Sequence, residues 1–292
     1  MVELGRSVAG AVRPGGGTPR EIIDSCRRCR DSRVPDVFTS IGLHAWHAVS
    51  GAGDAAAGAL PADLRAILDG RGAVKERNLE ALAAVARSLE AGGLGAGPDG
   101  PPVLLGDAAI LLGLYDSLAV FPASLWVVAV PGAGARGTGP ALEEALTAPP
   151  FDLRVCGLGS LAGLIGGHSR LVEAGPTRWR VPSGELLVAL MAGRVGDPEA
   201  VPTPPSWFHL AVAILGWGDR LDLDAVLTLA AELRIAPQVH RGLAAAAVLF
   251  PELAPVVPAP ALEIPVWERW VALRIAASRL VKYSLGTMGE DD

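Results

Sequence analysis

Apolar residues fall into two kinds of run along this chain. Between about 101 and 181 they form short stretches, at 103–105, 125–130, 151–156 and 178–181, bounded by Gly, Pro and Asp. Runs of three to six residues with such punctuation read as strands. The first leads straight into an apolar run at 108–115 that is long enough for a helix, and a Pro-containing turn then leads to the strand at 125–130. Elsewhere the apolar positions spread over longer, helix-like segments. These are 19–50, opening on Thr18-Pro19 as N-cap and first helical residue, then a helix starting at 61–69, and 75–91. Beyond 182 they are 186–191, 205–217, 223–234, 238–250 and 267–283, the last with Trp270, Leu273, Ala277 and Leu280 on one face.

The connectors agree with this division. Residues 51–59 are small, 92–102 are rich in Gly, Pro and Asp, and five prolines between 251 and 265 separate the last helix. The glycine-rich loop at 131–140 has neither the spacing nor the lysine of a phosphate-binding loop. The pattern therefore predicts an α/β (α+β) protein in four parts: a flexible N-terminus at 1–18, a helical region at 19–100, an α/β core at 101–181 and a helical region at 182–292.

Composition narrows the function classes. Half of the 292 residues are hydrophobic, yet Asp107, Pro122 and Arg154 interrupt the longest apolar runs. None reaches the roughly 18 uninterrupted residues of a membrane span, and the Gly-rich start lacks the apolar centre of a signal peptide. A cytoplasmic protein with no membrane span is expected. The formal net charge is −6, and basic residues cluster only at Arg27-Arg28-Cys29-Arg30. Nucleic-acid binding by phosphate neutralisation is not expected. Three cysteines make no disulfide framework and suit a reducing compartment.

The segment 103–131, VLLGDAAILLGLYDSLAVFPASLWVVAVP, carries a family resemblance. Its order of strand, helix and strand, with Tyr115 ending the helix, resembles the core of a bacterial nucleotidyltransferase family of the polymerase-β-like superfamily. That family has Lys-Gly opening the helix, an Arg after the Tyr, and Asp-x-Asp on the second strand. Here Gly106 and Asp107 stand at the Lys-Gly positions, Phe121 at the Arg, and Leu125 and Val127 at the two metal-binding aspartates. The family's Asn-bearing helix start is matched by Arg77-Asn78-Leu79. Its downstream signatures are matched by Ser206-Trp207-Phe208-His209, with His209 at an Asp position, and by Leu221-Asp222-Leu223-Asp224-Ala225-Val226-Leu227. The resemblance covers about 75–260. It implies a small mixed sheet of nucleotidyltransferase type between helical regions.

It also implies that the chemistry has gone. Nucleotidyl transfer clamps phosphate oxygens with Mg²⁺ and cations, and Mg²⁺ needs oxygen ligands. Leu125 and Val127 offer none. Neither a metal nor a cofactor is expected. The expectation is a repurposed scaffold that binds or converts a hydrophobic small molecule, with natural-product tailoring by cyclisation or acid/base chemistry as the first choice. The alternative is a non-catalytic partner protein in a biosynthetic or regulatory complex.

Each candidate residue has a plainer reading beside the functional one. Asp107, immediately before an apolar helix, is an N-cap or a carboxylate at the mouth of the former phosphate site. Asp152 matches the superfamily's third carboxylate, or else shares a solvated strand face with Arg154. His209 lies on a helix apolar nearly all round, so it is either a hydrogen-bonded core imidazole, which burial would keep neutral, or a pocket acid/base. Seven Trp stand against two Tyr and five Phe. Phe121, Trp126, Trp207 and Tyr115 are either core or the walls of an aromatic pocket. Cys26-x₂-Cys29 and His44-x₂-His47 have a zinc-like spacing but lie in helical sequence. Ser160 lacks a nucleophile elbow, and the glycines at 157–167 lack the dinucleotide fingerprint.

Overall fold

The computed structural model describes residues 70–91, 93, 100–121, 123, 125–130, 152–175, 177–198, 204–250 and 253–257. Several sequence expectations lie outside these residues: the N-terminal part to 69 with its cysteine and histidine pairs, the loop at 131–140 and the helix at 267–283. Among the described residues the fold is mixed α/β, with seven α-helices and one five-stranded sheet. The chain divides into two compact units: Asp69–Leu187, and Val188–Asp292 together with Met1–Leu68.

The first unit holds the sheet. Its elements are α1 (Arg71–Ala91), β1 (Val103–Leu105), α2 (Gly106–Gly113), β2 (Leu125–Val130), β3 (Asp152–Gly157), α3 (Ala162–Gly167), β4 (Ser169–Ala174) and β5 (Thr177–Pro182). The strand order is β3-β2-β1-β5-β4. β1 runs antiparallel to β2, with Leu105 opposite Val127, and parallel to β5. β2 runs parallel to β3, and β4 and β5 form an antiparallel hairpin. The sheet is thus mixed, as the resemblance implies.

Short, wholly apolar β1 is central because its residues can be covered on both faces. Val103 and Leu104 are fully buried. Gly106 adopts φ +63°, a left-handed conformation that suits glycine, and the chain passes from strand to helix with no intervening loop. In α2, Ala108 to Leu112 are all buried. Gly113 lets this helix pack closely: a Cβ there would come within 2.9 Å of Leu187 and 3.2 Å of Val181.

Two elements were not anticipated. β4 lies at the sheet edge, where Arg170, Leu171 and Glu173 are exposed and only Ala174 is buried, so no apolar run marks it. It exists through pairing with β5 across a turn at Gly175, φ +65°. The glycine-rich stretch after β3 forms a 3₁₀ turn, Gly159–Leu161, and then α3.

Helix α4 (Gly184–Val195) spans the division between the units, and the second unit continues with α5 (Pro204–Trp217), α6 (Leu223–Glu232) and α7 (Ala236–Leu249). α5 is buried on every side from Trp207 to Leu215. α6 is amphipathic, with Val226, Leu229 and Ala230 inside. Asp222 caps α6, its carboxylate accepting from the backbone N–H groups of Asp224 at 3.0 Å and Ala225 at 3.1 Å. α4 and α7 meet through glycines. A Cβ on Gly242 would collide with the Ala192 carbonyl, and one on Gly196 with that of Gln238. No described helix is long and apolar enough to cross a membrane.

Candidate functional site

Residues 103–131 and Asp152 lie in the sheet unit. Its geometry begins with Asn78, a fully buried polar residue of α1. The Asn78 amide nitrogen donates to the carbonyls of Leu118 at 2.7 Å and Phe121 at 2.9 Å, and its oxygen accepts from the Ala123 N–H at 3.0 Å. One side chain therefore fixes the approach to β2. Against this segment the ring of Tyr115 meets Phe121 edge-on, with centroids 6.3 Å apart and planes at 80°. Both are buried. Burial pushes the Tyr115 phenol well above its ordinary pKa.

Strand register brings the candidate positions of β2 and β3 together. Leu125 is paired directly with Asp152, and Val127 with Arg154. Trp126, between the two aliphatic positions, is fully buried, and its backbone bridges Gly106. Asp107 is half-buried in the first turn of α2, where a negative charge complements the helix dipole. It is not the N-cap that the sequence reading allowed: Leu105 holds the cap position, with no side-chain cap bond.

His209 and Trp207 belong to the other unit, so the two candidate acid/base residues, His209 and Asp107, are carried by different units. Along α5, Trp207, Phe208 and His209 are all nearly inaccessible, and the His209 ring stands 5.8 Å from that of Phe208 at 62°. Desolvation lowers the His209 pKa to about 3. The imidazole is consequently neutral at ordinary pH. In that state it can orient a group by hydrogen bonding, and it would be a weak base rather than a near-neutral proton relay.

The second unit also contains a cleft of about 650 Å³. Ile214 and Leu215 at the end of α5 form one wall, Leu221 and Val256 add apolar surface, and Asp219, Asp222 and Asp224 supply carboxylates. His209 and Trp207 share α5 with this wall but are not among the lining residues. Sequence reasoning registered Leu221 to Asp224 only as a family signature. The signal for a helix cap was present there. The approach of residues 255 and 256, more than thirty positions downstream, had no local signature. Among the described residues, no group of three or more His, Cys, Asp or Glu is arranged to hold a metal ion.

Comparison with known proteins adds no relative: no family model, curated protein or solved structure matches this chain.

Proposed function

We propose that this chain is a nucleotidyltransferase-like scaffold that no longer transfers nucleotides and instead binds or converts a hydrophobic small molecule. The register of β2 with β3 carries the reading. At the two strand positions where the family holds metal-binding aspartates, this chain has Leu125 and Val127, and the neighbouring strand contributes one acidic position, Asp152. One acidic strand position, with Leu and Val at the other two, does not supply the ligands of the two-metal clamp that phosphoryl chemistry uses. The sheet is mixed, and neither an all-helical structure nor a doubly wound parallel sheet, either of which would have contradicted the resemblance, is present among the described residues.

The cleft at the end of α5 supports the small-molecule part of the proposal. Its size falls within the usual range of about 300–1,000 Å³ for ligand sites, and its lining mixes apolar side chains such as Ile214, Leu215 and Val256 with the carboxylates of Asp219, Asp222 and Asp224, which suits an amphipathic ligand. Natural-product tailoring, a cyclisation or proton transfer in which holding the substrate in shape does much of the work, is the role we assign first. Two assays test the reading. Titration with Mg-ATP and Mg-GTP should give no saturable binding and no transfer of a nucleotidyl group; either would overturn it. A thermal-shift screen of amphipathic small molecules should find ligands that stabilise the chain in proportion to ln(1 + [L]/Kd). Val256→Arg should abolish that stabilisation while the protein remains folded.

A non-catalytic partner role is the second reading. Edge strand β4 favours it by presenting Leu171, 55% exposed. Leu171→Lys would then weaken capture of a partner and leave small-molecule binding intact.

A further inference from the structure

We draw no further inference here: the strongest candidate, the group of aspartates Asp219, Asp222 and Asp224 at the cleft between the end of α5 and the start of α6, belongs to the site already described, and no second observation in the structure points to a ligand that these carboxylates would hold.

Discussion

Asn78 reaches across 43 positions of sequence to donate a 2.9 Å hydrogen bond to the carbonyl of Phe121. The same side chain serves Leu118 and Ala123, so three backbone groups of the segment before β2 depend on one amide. Asn78→Leu removes both donor and acceptor and leaves those groups unpaired. An unsatisfied buried group costs about 1–3 kcal/mol, so a loss of roughly 2–5 kcal/mol is expected in urea unfolding, the neighbouring groups relaxing in part. Asn78→Asp should be worse at pH 7 than at pH 5, relative to wild type. A buried, uncompensated carboxyl has a raised pKa, so its penalty grows as pH climbs above the unfolded value of about 4. Equal stability of Asn78→Leu and wild type would show that the segment holds itself.

His209 makes stability depend on pH in a defined direction. Above about pH 6.5 the imidazole is neutral in both folded and unfolded chains, and no penalty arises. Below that, the unfolded chain gains a proton that the folded one refuses until about pH 3. Stability should therefore fall by up to about 1.4 kcal/mol per pH unit through this window from His209 alone. Denaturant unfolding of wild type and His209→Gln at pH 7, 6 and 5 measures the difference. Parallel pH profiles would show that His209 titrates normally in the folded chain. Once a substrate is found, unchanged turnover of His209→Gln would remove this residue from the chemistry.

The glycines of the α4–α7 contact are not equivalent. Gly242→Ala and Gly196→Ala place a methyl group into backbone carbonyls of the facing helix, which cannot rotate aside. A cost of about 2–4 kcal/mol is expected, at or somewhat above the usual range for overpacking. Gly193→Ala presses closely on the flexible tip of Ile235, at 3.1 Å, and otherwise makes ordinary contact with Val239 at 3.7 Å. There the gain in helix propensity of about 1 kcal/mol offsets the contact, and stability should change little. A comparable loss in all three variants would mean that the helices are not in such close contact.

Arg234 follows α6 with φ +60°. The N–H of Ile235 donates to the Ala230 carbonyl and that of Arg234 to Ala231, the bonding pattern of a left-handed helix stop that glycine usually fills. Arg234→Gly should stabilise the protein by about 1 kcal/mol, because a non-glycine residue is strained there. A lower melting temperature in this variant would show that the arginine side chain contributes more than its backbone costs.

The local pattern of side chains determined the elements that are mostly buried. The apolar runs of β1, β2, α2 and α5 were legible because a segment apolar on every side has no way to face water, and the burial of His209 follows from the same rule. The mixed sheet was legible only through the family resemblance, since strand direction leaves no mark on local sequence. Tertiary structure decided what depends on a distant partner. β4 is polar and exposed, and its strand conformation comes from the ladder with β5. Asn78 looks like any polar residue of a surface helix, and its burial exists only because the carbonyls of Leu118 and Phe121 come to meet it. The cleft likewise forms where Val256 approaches Ile214 and Leu221. Periodicity reports which side of an element is wet, whereas a hydrogen bond or a cavity needs the coordinates of both sides.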